Sequence, residues 1–305
     1  MSDGSTPASR RRRPVSAGVS ALVAEVAARL RAAEVPSAAV EARWIVSHFL
    51  GTSPAALVFA GPLSDDERES IEAAVTRRVS REPLQHILGI APFGDLELAV
   101  GPGVFIPRPE TEVMAQFALS WLAGLDRPAV VVDACSGSGA LALAVACHVR
   151  AEVTAIEIST AADVWLQRNV AALKPRFSHR GSVVTVVRGD VAAADTWPAS
   201  GSVDLVVSNP PYVPLGCVPR DPEVRDHDPK VALFGGTDGF DIVRPLVVRA
   251  SAALRPGGVI LIEHADDQGE PGGVPALLRR SGRFADIADH ADFAGRPRFT
   301  SAVRR

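Results

Sequence analysis

The alternation of short β-branched runs with longer helical runs, from residue 129 onward, decides the fold class. Strands that alternate with helices form a parallel sheet whose crossover connections are right-handed. We therefore expect an α/β fold with a mostly parallel sheet, to which the segment 284–303 adds two strands, giving seven in all. The predicted strands before that segment lie at 129–133, 153–157, 183–187, 203–208 and 258–263, and the predicted helices at 139–149, 160–173 and 242–254.

Upstream of this pattern, alanine-rich apolar segments alternate with turn residues. They predict helices at 17–33, 37–50 and 64–80. Ser37 and Ser64 stand where N-caps are expected, and Glu67 completes a capping box that begins at Ser64.

Between the helical and the α/β parts, alternating apolar residues predict a short hairpin. These residues are Phe93, Leu96, Leu98 and Val100. The expected organisation is a disordered tail at 1–15, a small helical domain at 16–84, a hairpin linker at 85–108 and an α/β domain at 109–305.

The composition limits which cellular compartments and which classes of partner the sequence fits. The 305 residues are 47% hydrophobic, but the apolar stretch at 140–147 is far shorter than the roughly 20 residues that cross a bilayer. The three cysteines form no Cys-x-x-Cys pair, which favours a reducing compartment. The formal net charge is −3, although four arginines lie at 10–13 in the tail. We expect a cytoplasmic protein with no membrane partner and no strong direct binding of nucleic acid.

The first predicted α/β strand runs into a glycine loop, Asp133-Ala-Cys-Ser-Gly-Ser-Gly139. Glycines there let a ligand approach the backbone at the carboxyl end of the strand, where open α/β sheets bind ligands. Glu157 follows about 20 residues after Gly137, a position from which a carboxylate can bind ribose hydroxyls. The loop alone fits both NAD and S-adenosylmethionine, since each carries a ribose.

Carboxylates at other strand ends favour S-adenosylmethionine. Asp133 can bind the cationic amino-acid end of that cofactor, whereas it would repel the pyrophosphate of NAD. Asp190 ends the third strand, where its side chain can accept a hydrogen bond from the adenine amino group.

The fourth strand ends in a stiff turn, Asn209-Pro210-Pro211-Tyr212. The two prolines remove two backbone donors and fix φ. The Asn209 side-chain oxygen and the Pro210 carbonyl can therefore hold both hydrogens of an amide or exocyclic amine, and Tyr212 can stack on its plane. Such alignment suits in-line displacement of a methyl group by a weakly nucleophilic nitrogen.

Six stretches of the sequence match the motifs of one known family, over most of the chain beyond residue 80. They read Arg81-Glu-Pro-Leu-Gln-His-Ile-Leu-Gly89, Phe105-Ile-Pro-Arg-Pro-Glu-Thr-Glu112, the glycine loop, Ser208-Asn-Pro-Pro-Tyr212, Asp228-Pro-Lys-Val-Ala-Leu-Phe-Gly-Gly236 and Ala294-Gly-Arg-Pro-Arg-Phe-Thr300. In them the chain resembles the release-factor glutamine methyltransferases, the HemK/PrmC family. The resemblance implies a Rossmann-like, S-adenosylmethionine-dependent methyltransferase domain preceded by a helical domain that helps engage the substrate protein.

The resemblance also implies a reaction and a set of site residues. The reaction is methylation of the glutamine amide in the Gly-Gly-Gln motif of class 1 peptide chain release factors, by a protein we expect to be a monomer. Asn209, Pro210, Pro211 and Tyr212 would hold the glutamine, together with Arg108 and Glu110. The residues implied for the cofactor are Asp133, Cys135, Ser136, Gly137, Ser138, Gly139, Glu157, Asp190, Val191 and Asn209.

Several alternatives remain open at the level of sequence. The Asn-Pro-Pro-Tyr turn also occurs in nucleic-acid amino-methyltransferases, and a glutamine of a ribosomal protein is a related acceptor. A methyltransferase fold that only binds a partner, or an NAD oxidoreductase, would share the glycine loop. The seven histidines have no metal-ligand spacing, so we expect no metal.

Overall fold

A computed structural model describes residues 16–305, so the tail predicted at 1–15 lies outside the described residues. The chain divides into two compact units after Leu88, and the second unit runs from Gly89 to Arg305. Within residues 16–305, no helix combines the length and the apolar character that crossing a membrane requires.

The first unit is helical. Its helices are α1 (Ser16–Ala32), α2 (Ala38–Phe49), α3 (Asp65–Val79) and α4 (Leu84–Leu88), with a short 3-10 helix at Ala56–Phe59. Leu30, Ile45 and Ile71, one from each of the first three helices, are almost completely buried. Arg78 Nε lies 2.6 Å from Glu41 Oε2, and this nearly buried ion pair joins α3 to α2. The three predicted helices are confirmed to within a residue or two at each end.

The two predicted N-caps differ in their hydrogen bonds. At Ser64 the capping box is complete, because Ser64 Oγ accepts from Glu67 N at 3.2 Å and Glu67 Oε2 accepts from Ser64 N at 2.7 Å. Ser37 occupies the N-cap position of α2, but its side chain makes no capping hydrogen bond. Only Ser64 therefore satisfies an otherwise free backbone donor of its helix.

This difference predicts unequal effects of two matched substitutions. Ser64→Ala should lower the free energy of unfolding of the first unit by about 1 kcal/mol, since a capping hydrogen bond is lost. Ser37→Ala should change it by less than about 0.5 kcal/mol. Chemical denaturation followed by circular dichroism measures both, and equal losses would contradict the assignment.

The second unit is an α/β structure that begins with a hairpin. Its elements are β1 (Ile90–Phe93), β2 (Leu96–Ala99), α5 (Pro109–Leu122), β3 (Ala129–Ala134), α6 (Ala140–His148), β4 (Ala151–Glu157), α7 (Thr160–His179), β5 (Val183–Arg188), β6 (Val203–Ser208), α8 (Pro222–His227), α9 (Lys230–Leu233), α10 (Val243–Ala253), β7 (Leu254–Glu263), α11 (Gly273–Arg280), β8 (Phe284–Ala291) and β9 (Pro297–Arg304).

Seven of these strands form one sheet in the order β5-β4-β3-β6-β7-β9-β8. The first five in that order pair in parallel, and β9 is antiparallel to both β7 and β8. The prediction of a mostly parallel, seven-stranded sheet is confirmed. The strand order reverses direction between β3 and β6, and open α/β sheets bind ligands at that point.

Helices cover both faces of the sheet. The apolar side chains of α5, α6 and α7 pack on one face, and those of α10 and α11 pack on the other. Phe93, Leu96 and Leu98 of the hairpin join the first of these two cores. The hairpin thus packs within the second unit.

Several elements differ from their predicted extent. Helix α7 continues through Pro175 to His179, because Phe177 in its last turn is buried in the core. Strand β7 starts at Leu254, four residues before the predicted start. The polar stretch around 220–230 contains the short helix α8, and α9 begins at its end; the sequence pattern predicted neither helix.

Candidate active site

A cavity of about 660 Å³ lies at the carboxyl ends of the central strands. Asp133 of β3, Glu157 of β4 and Glu263 of β7 all line it, as does Asn209 just after β6. The parallel pairing of β3 with β4 and β6 brings these strand ends to one edge of the sheet. The carboxylates that the sequence places at strand ends therefore face one space.

The glycine loop is held in place by hydrogen bonds from its own backbone. Ser136 N donates to Ile156 O at 2.9 Å, and Gly139 N donates to Ser136 O at 2.8 Å. Gly137 N donates to Glu157 Oε2 at 2.7 Å, which joins the loop to β4. Cys135, Ser136, Gly137 and Ser138 line the cavity, whereas Gly139 is the N-cap of α6 and lies behind them.

Glu157 is a preformed acceptor. Its Oε2 takes the Gly137 amide, and its Oε1 accepts from Ser159 N at 2.8 Å. The Ile158 backbone also donates to this carboxylate, and since a carboxylate offers about four acceptor sites, capacity remains for a ligand hydroxyl. Burial raises the pKa of Glu157, although these backbone donors favour the charged form.

Asp133 carries an unsatisfied buried oxygen. Its Oδ2 accepts from Ala142 N at 3.0 Å, while Oδ1 is buried and has no hydrogen-bond partner. Burial raises the pKa of this carboxyl to about 7, and the nearby charge of Glu157 adds to the effect. A cationic ligand group in the cavity would compensate the unpaired oxygen, so the site fits the ammonium end of S-adenosylmethionine.

The next part of the cavity is lined by an apolar pair and a carboxylate. Val191 is buried, and Trp197 Nε1 donates to its carbonyl at 2.9 Å. Ile158 also lines the cavity, and 54% of this residue is exposed. Asp190 Oδ1 accepts from Ala192 N at 2.8 Å, and its side chain is otherwise exposed. Two aliphatic side chains beside a carboxylate suit a flat ring that carries an amino group.

Hydrogen bonds from other segments hold the backbone of the Asn-Pro-Pro-Tyr turn and of Val213, which follows it. Val213 N donates to Leu233 O at 2.8 Å, and Gly235 N donates to Val213 O at 2.9 Å. Gln268 Nε2 donates to Tyr212 O at 2.9 Å. These bonds fix the backbone of the turn against the end of α9, against Gly235 just after it and against Gln268 beyond β7.

Two glycines allow that close approach. A Cβ on Gly235 would lie 2.4 Å from Pro211 O, and one on Gly239 would lie 2.3 Å from Tyr212 O. Gly239 also has a φ of +83°, which L side chains rarely adopt. Backbone alone can fill this space behind the turn.

The residues of the turn differ in their access to the cavity. Asn209, Pro211 and Tyr212 line it, whereas Pro210 is buried and is not among the lining residues. Asn209 Nδ2 lies 3.4 Å from Thr111 Oγ1 of α5. Burial raises the pKa of Tyr212, so its hydroxyl stays neutral.

Arg108 and Glu110 line the cavity, but both make ion pairs within the chain. Arg108 Nη2 lies 2.6 Å from Asp228 Oδ2, and Glu110 Oε1 lies 3.4 Å from Arg296 Nη2. Burial raises the pKa of Asp228 to about 6, against the opposing charge of Arg108. Arg108 therefore ties the start of α5 to the segment between α8 and α9.

Some lining residues were not assigned to the site by the sequence reasoning. Among them are Thr111, Ile158, Glu263 and Arg298. The sequence could have indicated Ile158 and Glu263, since each lies at or just beyond a strand end at the ligand-binding edge.

His264, by contrast, is fully buried and bonds Asp289 Oδ1 at 2.9 Å. In the part of the chain that the structure describes, no cluster of side chains is suited to a metal ion.

Known proteins match both units. The family model described as the PrmC N-terminal domain matches residues 21–89, and the one described as conserved hypothetical protein 95 matches residues 93–217. The release factor glutamine methyltransferase of Mycolicibacterium smegmatis is 45% identical over 91% of this chain and 94% of its own length. The chain belongs to the release factor glutamine methyltransferase family.

Other relatives of the same name support that membership. The release factor glutamine methyltransferase of Streptomyces coelicolor is 45% identical over 92% of this chain and 96% of its own length. Among solved structures, TrmN from Thermus thermophilus is 20% identical with a TM-score of 0.43, covering 63% of this chain and 48% of its own. Pyrococcus horikoshii TYW2 in complex with MeSAdo is 14% identical with a TM-score of 0.45, covering 70% of each chain. This methyltransferase family is the one that the sequence motifs indicated.

The unpaired oxygen of Asp133 predicts an unusual dependence of stability on pH. Below about pH 4 the group is protonated in both the folded and the unfolded state. Between about pH 4 and pH 7 the folded state keeps a proton that the unfolded state releases, so its contribution to stability falls as pH rises.

Asp133→Asn should remove this loss. In the absence of ligand, the variant should exceed the wild-type protein in unfolding free energy by roughly 1–4 kcal/mol at pH 8, and by little at pH 4. Denaturant titrations across this range measure the difference. The exposed Asp267 provides a control, since Asp267→Asn should follow the wild-type curve. A constant difference between Asp133→Asn and the wild type at all pH values would contradict the prediction.

Proposed function

We propose that this methyltransferase transfers a methyl group from S-adenosylmethionine to the glutamine side-chain amide in the Gly-Gly-Gln motif of class 1 peptide chain release factors. Membership of the family supports the substrate class. One observation carries the proposal for the site: the carboxylate-lined glycine loop and the clamped Asn-Pro-Pro-Tyr turn open into the same cavity. Cofactor and acceptor can therefore meet there.

The cofactor half of the proposal assigns one task to each strand end. Asp133 pairs with the ammonium group of the methionine part, and Glu157 accepts from the ribose hydroxyls. Asp190 accepts from the adenine amino group, while Val191 and Ile158 contact the ring. Bound there, S-adenosylmethionine supplies an electrophilic methyl group on a sulfonium.

The acceptor half assigns the turn to the glutamine amide. The Asn209 side-chain oxygen accepts one of its hydrogens, and Tyr212 packs on its plane, whereas Pro210 is buried and does not line the cavity. The nitrogen bonds to the methyl carbon as the carbon–sulfur bond breaks, and it then releases one proton to solvent. The contribution of the protein is alignment, which is worth several kcal/mol when a nucleophile is weak.

The first unit has a surface suited to a protein partner. Trp44 and Val40 of α2 are exposed, and Val58 and Phe59 on the 3-10 helix are exposed by 56% and 86%. Exposed large apolar side chains are enriched where proteins associate. We assign this unit to engagement of the release factor.

The first test measures transfer of labelled methyl from S-adenosylmethionine to a purified class 1 release factor. We expect label on the native factor and none on a factor whose Gly-Gly-Gln glutamine is replaced by alanine. Label on neither protein would contradict the proposal and direct the search to ribosomal proteins and nucleic acid. Label on both would place the acceptor at another residue.

A second test addresses the turn. Asn209→Ala should lower kcat by about 100-fold or more, because the acceptor amide loses one of its two anchors. Calorimetric affinity for S-adenosylhomocysteine should fall far less, since Asp133 and Glu157 remain. Turnover within a few-fold of the wild-type rate would contradict the role of Asn209.

A further inference from the structure

Glu263 is a buried carboxylate at the active site to which the reaction scheme assigns no task. It ends β7, is 1% exposed and lines the cavity. Its Oε2 is buried without a hydrogen-bond partner. A buried carboxylate with one oxygen left unsatisfied is expensive for a fold, so its presence beside the acceptor turn calls for a physical reason.

Each element packed around Glu263 presents a polar group. Thr111 and Glu110 come from α5, Arg298 from β9, and Asn209 and Tyr212 from the turn after β6. Burial raises the pKa of Glu263 to about 7, while Thr111, Arg298 and Asn209 favour its charged form and Glu110 opposes it. The neighbouring His264 ring is engaged elsewhere, at Asp289 and at Ala265 O.

The hydrogen-bonding capacities of these groups determine which of them donates and which accepts. A charged carboxylate only accepts, whereas a hydroxyl donates one hydrogen and also accepts. When Thr111 directs its hydrogen toward Glu263, its oxygen is left to accept from Asn209 Nδ2, which lies 3.4 Å away. The amino end of Asn209 is then engaged, and its carbonyl oxygen is free to accept.

This direction matters because the two ends of an asparagine amide have nearly the same size and opposite hydrogen-bonding character. Only the surrounding partners decide which end faces the acceptor. A flipped Asn209 would present donors to a glutamine NH2 group that needs acceptors.

We propose that Glu263 is a positioning residue that acts through Thr111 to keep the Asn209 carbonyl oxygen directed at the acceptor amide. The inference rests on the proposed function. Protonated Glu263 becomes a donor and no longer enforces this direction. Turnover should therefore fall as pH drops through about 7, where the Glu263 carboxyl takes up its proton.

The test compares Glu263→Gln with the wild-type enzyme in the release-factor assay across pH 5.5–9. Glutamine keeps the size of the side chain but adds donors. We expect kcat to fall about tenfold or more at pH 8 and the acid limb of the kcat profile to disappear. Calorimetric affinity for S-adenosylhomocysteine should stay within about threefold, and the melting temperature should not fall.

Two Thr111 variants test the same series of hydrogen bonds, from Glu263 through Thr111 to Asn209, without altering Glu263. Thr111→Ser keeps the hydroxyl and should retain most of the activity, whereas Thr111→Val removes it and should behave like Glu263→Gln. This pair decides the question if Glu263→Gln does not fold.

The possible failures can be told apart. A wild-type enzyme that labels no release factor contradicts the proposed function. A wild-type enzyme that labels the factor while Glu263→Gln shows the same rate and the same acid limb contradicts the positioning role alone. Equal activities of the two Thr111 variants also contradict it.

Discussion

The parallel pairing of β3 with β4 on one side and β6 on the other is the contact on which the site depends. It aligns Asp133, the glycine loop and Glu157 with the turn at Asn209, although these residues are far apart in sequence. A serine hydroxyl reinforces the alignment, since Ser208 Oγ donates to Ala134 O at 2.7 Å across the β3–β6 pair. A shift of one residue in either pairing would turn the strand-end side chains to the opposite face of the sheet and abolish the cavity lining.

At the ends of these strands the protein buries several carboxyl groups away from solvent. Burial raises the pKa of Asp133, Glu157 and Glu263, and two of them carry buried oxygens without partners. Such groups lower the stability of the ligand-free fold, and ligand contacts would offset that loss. The apolar packing on both faces of the sheet supplies the stability that tolerates them. The site thus combines a well-packed scaffold with electrostatic groups that are incomplete by themselves.

Sequence reasoning predicted the features that depend on local pattern. The five parallel strands, the hairpin, the Ser64 capping box and the lining role of Asp133, Glu157 and Asn209 follow from periodicity and from the rule that ligands bind at strand ends. It missed Thr111 and Arg298, because their place at the cavity results from the packing of α5 and β9, which no local pattern encodes. It ended α7 too early, at residue 173, whereas the helix continues through Pro175 because burial of Phe177 outweighs the local cost of proline. It also did not predict that Arg108 and Glu110 would be paired within the chain.

The glycines behind the acceptor turn, Gly235 and Gly239, contact no part of the cavity and yet determine its shape. Because the backbone of the turn fills the space where their side chains would be, the position of Tyr212 depends on two residues that have no functional group. A screen of random substitutions for loss of activity would therefore mark them as strongly as residues that hold the substrate. Sensitivity to substitution at these positions reflects a steric clash between a new side chain and the backbone of the turn. It is not evidence that either glycine takes part in binding or in the reaction.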